Sequence, residues 1–307
     1  MSARAPFAGT SAFGVEVLRG LLEAGVDVPL VLSQPDRPAG RKRVLTPPPV
    51  AAFAREHDLP LLQPERAAEA LSALQAIEPA AVAICAYGQL LPDELLALCP
   101  WLNLHPSLLP RWRGAAPIER MLMAGDTQTG VAIMQTVAEL DAGPLISLAP
   151  IAVANEADTE TIEQEALRLG VPALVRAIEA AAAGTLDAEA QATDGTTYAA
   201  KLERIDRLID PALHTVADTL NRIRALRPQI GALLMLDGES FTIWRATAAT
   251  VEMAPGACVV VGDELQVGCV DGAIAISELQ TAGKRALVTA EWLRGRRDLP
   301  TSASCPV

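Results

Sequence analysis

The sequence predicts an α/β fold in two parts: a doubly wound, mostly parallel sheet, then a small C-terminal β-barrel. Three observations carry that prediction. Up to residue 186, apolar runs of strand length alternate with helix-period segments, as in a parallel sheet with crossover helices. From Asp187 the chain turns polar and poor in large apolar side chains, as linkers do. Beyond residue 208, short alternating runs are separated by turn dipeptides. At 307 residues the chain is long for a single core. The expected division is a first domain over 1–186, a linker over 187–207 and a second domain over 208–307.

The first domain opens with Phe7-Ala8-Gly9-Thr10, a strand end and turn, although the neighbouring Pro6 cannot donate to a ladder. Ser11 is placed to cap a helix with Phe13, Val17, Leu18 and Leu21 on one face and Gly25 as its stop. No G-x-G-x-x-G follows the first strand, so dinucleotide binding is not indicated. Residues 26–33 read as a strand and 34–43 as a loop rich in proline, glycine and base. A helix is predicted over 49–57, a short strand over 59–62 and a helix over 65–76. The apolar run 80–86 is a buried strand that ends at Tyr87-Gly88. Pro92 starts another helix, and 101–105 is the next strand. A loop punctuated by Pro106, Pro110 and Gly114 leads to a helix over 118–124 and strands over 130–137 and 145–153. A long helix over 159–183 closes the domain, with Gly184 just past its end.

In the second domain an amphipathic helix is predicted over 215–226. Five short strands follow, over 233–236, 240–246, 257–261, 264–267 and 273–279. Asp237-Gly238, Pro255-Gly256, Gly262-Asp263 and Asp271-Gly272 divide them. The strand count fits a barrel of the oligonucleotide-binding type. A short helix over 289–295 comes last.

Composition narrows the function classes. No run of about 18 uncharged apolar residues occurs, so no membrane association is expected. The N-terminus lacks a signal-peptide core, and the expected location is cytoplasmic. The five cysteines (Cys85, Cys99, Cys258, Cys269, Cys305) are scattered and never spaced C-x-x-C. With only three histidines, far apart, no metal is expected. A formal net charge of −12 argues against a nucleic-acid partner, but its distribution does not. The stretch 155–194 carries −7, whereas 34–43 carries +3 and 283–297 carries +4. Phosphate backbones respond to such local clusters.

Asn103 and His105 are two polar residues, two apart, inside the apolar strand 101–105. That spacing points both to one side of the sheet. With Asp141 they offer a neutral donor, a group that titrates near neutral pH and a carboxylate. Each also has a bland explanation: a structural histidine, an asparagine that ties a turn, an aspartate that caps one. There is no G-x-S-x-G elbow and no Cys/His pairing to suggest a nucleophile.

The stretch Asn103-Leu104-His105-Pro106-Ser107-Leu108-Leu109-Pro110-Arg111-Trp112-Arg113-Gly114-Ala115-Ala116-Pro117-Ile118 resembles the signature of the 10-formyltetrahydrofolate-dependent formyltransferases. Phe7-Ala8-Gly9-Thr10, Gln34-Pro35-Asp36-Arg37-Pro38-Ala39-Gly40-Arg41, Ala86-Tyr87-Gly88, Ala124-Gly125-Asp126 and Thr129-Gly130-Val131 extend the likeness. So do Leu140-Asp141-Ala142-Gly143, Leu279-Gln280-Thr281-Ala282-Gly283-Lys284-Arg285 and Leu293-Arg294-Gly295, so it covers nearly the whole chain. The chain departs from the family at Pro6, at Pro144 and at 226–231, where an Asn-Pro-Trp-Pro-like turn is usual.

The resemblance implies the formyltransferase fold for the first domain and a tRNA-contacting barrel for the second. It implies transfer of a formyl group from 10-formyltetrahydrofolate to the free amino group of methionyl-initiator tRNA. Asn103, His105 and Asp141 become the catalytic set, and Ser107, Leu108, Leu109 and Pro110 the folate-binding loop, shaped by Arg111 and Arg113. Arg37, Arg41, Lys42 and Arg43, with Lys284 and Arg285, become tRNA contacts. A monomer is expected. Two other readings stand beside this one. The same chemistry could serve an amino sugar nucleotide or water as acceptor, or the scaffold could be a silent RNA-binding protein.

Overall fold

The structure is a computed structural model that describes residues 3–40 and 43–306. By packing, the chain falls into two compact units. Met1–Pro117, Gln128–Ala152 and Glu163–Ala199 make the first; Ile118–Thr127, Val153–Ile162 and Ala200–Val307 make the second. The units interleave along the chain and do not meet at a single cut.

The first unit begins with β1 (Phe7–Gly9) and α1 (Ala12–Glu23). The Ser11 hydroxyl accepts the Gly14 N–H at 3.1 Å, so the expected cap is formed. Pro6 does no harm because its carbonyl accepts from Ala83 and the ladder starts at Phe7. The second strand is shorter than expected: β2 is only Val31–Leu32. Asp27 still pairs with Arg4, but Pro29 has no N–H to carry the ladder through.

The basic segment expected as a loop is instead a small antiparallel hairpin, β3 (Arg37–Ala39) with β4 (Val44–Thr46), exposed on both strands. Local pairing of these six residues satisfies backbone groups that a loop would leave to water. Next come α2 (Pro49–Glu56), β5 (Leu61–Leu62), α3 (Leu71–Ile77, preceded by a 3₁₀ turn), β6 (Val82–Cys85) and α4 (Asp93–Leu96). An interior strand, β7 (Trp101–His105), is followed by β8 (Arg113–Gly114), α5 (Pro117–Ala124, which from Ile118 belongs to the second unit), β9 (Gln128–Gln135), β10 (Leu145–Ala152), α6 (Thr159–Ala182, whose first turn belongs to the second unit) and β11 (Tyr198–Ala199).

The main sheet runs β10-β9-β7-β6-β1-β2-β5. Five strands are parallel, and β9 and β10 are antiparallel to their neighbours. The doubly wound, mostly parallel prediction is therefore correct. Leu74, Val82, Leu95 and Trp101 are buried on one face, and the Trp101 indole donates to the Leu95 carbonyl at 2.8 Å. Gly170 of α6 sits where a Cβ would lie 2.8 Å from Leu104 and Val131, so the helix rests directly on β7.

The second unit carries α7 (Val216–Leu226), opened by a reciprocal capping box between Thr215 and Asp218. Its strands are β12 (Ala232–Leu236), β13 (Glu239–Ala249), β14 (Cys258–Val261), β15 (Glu264–Cys269), β16 (Gly272–Thr281) and β17 (Ala286–Val288). α8 (Thr289–Arg294) and β18 (Ala303–Ser304) complete it. The antiparallel path runs β14-β15-β16-β13-β12-β18, with β17 on β16. A bridge between Ala257 and Ser302 joins its two edges, which closes the barrel that the turn dipeptides predicted. Two sequence-invisible features help: bulges near Arg245 bend β13, and Trp292 packs edge-on against Phe241 at 5.4 Å.

Candidate active site

The sheet places β7 between β6 and β9, so Asn103 and His105 emerge at the carboxyl end of a central strand. Open α/β sheets put ligands there. His105 is only 5% exposed. Its Nε2 lies 2.9 Å from the Trp112 carbonyl oxygen, which can only accept, so Nε2 carries a hydrogen. Nδ1 then faces the Asp141 carboxylate, 3.8 Å from Oδ2. Asn103 Nδ2 donates to Asp141 Oδ1 at 3.4 Å, a long bond. Asp141 Oδ2 also accepts the Gly114 N–H at 2.8 Å. The three residues chosen from sequence thus meet around one carboxylate.

That meeting depends on strained backbone. Asp141 has φ 46° and Trp112 φ 65°, in the left-handed region that non-glycine residues avoid. Such conformations cost roughly 1 kcal/mol or more each and persist where the surroundings over-determine them. The surroundings here are specific. The Trp112 N–H donates to Thr197 Oγ1 at 2.9 Å, and the Arg113 N–H to the Thr197 carbonyl at 2.9 Å. β11 lies parallel on β8. Residues 187–199, expected as part of a linker, are therefore built onto the site's loops, with Glu189 also paired to Leu145.

Gln191, which the sequence did not single out, joins the candidate site. Its Oε1 accepts from Arg113 Nη2 at 2.9 Å and Nε at 3.3 Å. Its Nε2 donates to the Asp141 carbonyl at 2.8 Å and the Gly143 carbonyl at 2.7 Å. A contact across 50 residues leaves no periodic trace in a sequence. The buried Arg113 also pairs with Glu139 at 3.2 Å, so it braces the aspartate loop and not the expected 107–110 loop. Arg113, Glu139 and Gln191 wall a cavity of about 600 Å³, with Pro144, Thr193 and Tyr198 on its other sides. Pro144 is compatible with the loop because its carbonyl, not its missing N–H, is used, by Gln135 at 2.9 Å.

Within the expected folate loop, Ser107 is buried and its hydroxyl donates to the Arg111 carbonyl at 2.8 Å. Leu109 is buried against Ala132 and Met134, whereas Leu108 and Pro110 are half-buried. The loop offers a ligand mainly its backbone and those two apolar edges. The Arg111 guanidinium stacks over the Trp112 ring at 4.5 Å. Nearby, Gln34 and Thr10 both donate to the Tyr87 carbonyl, which pins the Tyr87-Gly88 turn at the end of β6. Burial pushes the Cys85 thiol up, so it stays protonated.

The expected RNA contacts are dispersed. Arg37 makes an exposed pair with Glu65 at 3.3 Å, and Arg43 is exposed. Arg41 and Lys42 lie outside the described residues. In the second unit, Lys284 and Arg285 border a cavity of about 470 Å³ together with Arg296 and Arg297. Arg285 is paired with Glu291 at 2.7 Å. The departure at 226–231 is well anchored: Arg227 pairs with Asp158 at 2.7 Å, and Arg207 donates to the Ile230 and Gly231 carbonyls. Among the described residues no helix is long and apolar enough to cross a membrane, and no group of three His, Cys, Asp or Glu could hold a metal ion.

Comparison with known proteins adds independent findings. Residues 5–178 match the family model described as Formyl transferase, and 201–297 match Formyl transferase, C-terminal domain. The chain is 40% identical to the methionyl-tRNA formyltransferase of Halorhodospira halophila over 306 residues, 98% of each chain. It is 42% identical to that of Bordetella petrii, over 95% of this chain and 96% of the relative. Among solved structures, HypX from Aquifex aeolicus in complex with tetrahydrofolic acid superposes with a TM-score of 0.67 at 18% identity. The match covers 95% of this chain and 47% of HypX. The N-formyltransferase of Helicobacter canadensis, with folinic acid and dTDP-3-aminofucose, gives 0.64 at 14% identity, over 90% of this chain and 99% of that one. These two likenesses concern the fold.

Proposed function

The chain belongs to the formyl transferase family, and from that premise we propose that it formylates the free amino group of methionyl-initiator tRNA for translation initiation. The formyl donor is 10-formyltetrahydrofolate, used as a co-substrate. The observation that carries the chemistry is the Asp141 carboxylate shared by the Asn103 amide, the Gly114 N–H and the His105 ring face.

Attack of an uncharged amine on the formyl carbon gives a tetrahedral centre with negative charge growing on its oxygen. One Asn103 amide hydrogen is spent on Asp141; the other, with a proton on His105 Nδ1, stabilises that charge. The bond to Trp112 fixes the ring so that Nδ1 is the nitrogen available. Asp141 faces the imidazole and receives the surplus proton of the amine, directly or through water. The proton ends on the folate nitrogen that leaves. The protein supplies orientation and electrostatics, while the folate carries the one-carbon unit.

The backbone of Ser107, Leu108, Leu109 and Pro110 contacts the folate in this reading. The exposed hairpin β3–β4 and the basic rim at Lys284 and Arg285 contact tRNA. The first unit, with residues 187–199, carries the chemistry and the second binds RNA. The decisive experiment incubates the protein with 10-formyltetrahydrofolate and methionyl-tRNA and follows formyl-methionine. Formylation of the tRNA is expected. Activity only on an amino sugar nucleotide or on water, or tRNA binding without turnover, would overturn the assignment.

A further inference from the structure

We infer that Gln191, with Arg113 behind it, is a positioning residue for formyl transfer: its side-chain amide holds the Asp141 loop in the conformation that presents the carboxylate. The inference rests on the reading of Asp141 as catalytic. Gln191 uses its full bonding capacity on this task. Two lone pairs take the Arg113 guanidinium, and two amide hydrogens go to the carbonyls of Asp141 and Gly143. The orientation of the amide is fixed by charge, because the reverse would set NH₂ against guanidinium.

The clamp lies where it is needed. Asp141 sits at φ 46°, a conformation that its surroundings must hold, and in it the carboxylate accepts the Gly114 N–H. The two clamped carbonyls are that of Asp141 itself and that of Gly143, two residues on. Arg113 is in turn held by Glu139, two residues before Asp141, so guanidinium and amide together close a ring around the loop. The residue comes from the segment after α6, which gives that segment a part in the chemistry as well as in connecting the two units.

Two variants separate the halves of the clamp. Gln191→Glu still accepts from Arg113 but cannot donate to either carbonyl, and Gln191→Met keeps the volume with neither bond. Both are expected to lower kcat for methionyl-tRNA formylation at least tenfold, with KM for the tRNA within twofold. Amide hydrogen exchange supplies a readout independent of activity. The Gly114 N–H reports the carboxylate directly, whereas the neighbouring Arg113 and Ala115 N–H groups bond to Thr197 and Ala199. Gly114 alone should lose protection. Wild-type kcat and wild-type Gly114 protection in both variants would overturn the proposal, as would equal loss at all three amides, which marks a merely structural role. If the parent protein fails to formylate tRNA, the function falls, and the Gly114 amide still decides the clamp.

Discussion

His105 Nε2 is bound to the Trp112 carbonyl at 2.9 Å, and this one bond determines which face of the imidazole is left for chemistry. Because the partner can only accept, the ring enters the site through Nδ1, beside Asp141. His105→Ala should therefore lower kcat by about 10²–10³-fold, the effect of losing one preorganised donor worth about 3 kcal/mol. Loss of the bond to the Trp112 carbonyl costs about 1 kcal/mol of stability. Steady-state formylation and a thermal melt check both halves. Turnover within twofold of the parent would remove His105 from the mechanism.

The strand of the candidate site was legible because β7 is short, apolar and interrupted by two polar residues at period two. That pattern marks a candidate, and a structural role for each residue stays open until the fold brings them to one carboxylate. Asp141 stands out for its carboxylate, and the family likeness ties it to Asn103 and His105, since the Leu140-Asp141-Ala142-Gly143 bend has no periodicity of its own. Gln191 and Gly114 were not legible, because one lies in a polar stretch and the other contributes a backbone N–H. The barrel was announced by its turns: Asp237-Gly238, with φ 45° and 81°, makes the tight β12–β13 connection that the dipeptide suggests. Its closure, through Ala257 and Ser302, joins chain segments with no local signal.

The hairpin that replaces the expected basic loop changes how its charge is displayed. Paired strands hold the side chain of Arg37 on a short exposed arm instead of a coil, and Arg43 is exposed in the turn that leads into β4. Replacing Arg41 and Lys42 together by alanine is expected to weaken use of methionyl-tRNA and leave folate use unchanged. If both contact phosphates, the dependence of log binding on log salt flattens by about one to two units. Filter binding across a salt series measures the slope, and an unaltered slope would assign the arm another role.

The second unit contains a pair whose pH dependence has a definite sign. Asp158 is nearly buried; burial alone would push its carboxyl up, but Arg227 and the Thr161 N–H and hydroxyl hold it below the usual carboxylate range. A depressed folded-state value means stability that is present above the unfolded carboxylate value of about 3.9 and lost as pH falls through the folded one. Asp158→Asn should then destabilise the protein at pH 7, where Arg227 is left unpaired, by about 3 kcal/mol. The difference from the parent should shrink as pH falls below the unfolded carboxylate value and through the lower folded one. Denaturant melts at pH 7 and pH 3 test this; a difference that is constant with pH would mean that the pair contributes packing alone.

Gly143 offers the most direct test of whether the aspartate loop's position, and not its composition, sets the rate. A Cβ there would lie 1.7 Å from the Gln135 carbonyl oxygen, which belongs to the end of β9 and cannot retreat without breaking its strand. The loop must move instead. The Gly143 carbonyl is one of the two groups that Gln191 holds, and Asp141 is two residues upstream, so the shift passes into the carboxylate. A displacement of about 1 Å in a reacting group is worth about 10²-fold in rate. Gly143→Ala should thus lose about that factor in kcat while Asn103, His105 and Asp141 are all still present. Its melt should show a much smaller loss than the kinetics, because the loop is at the surface and the sheet behind it is intact. A kcat near that of the parent would mean that the loop adapts, and the geometric account of the Asp141 site would have to be abandoned.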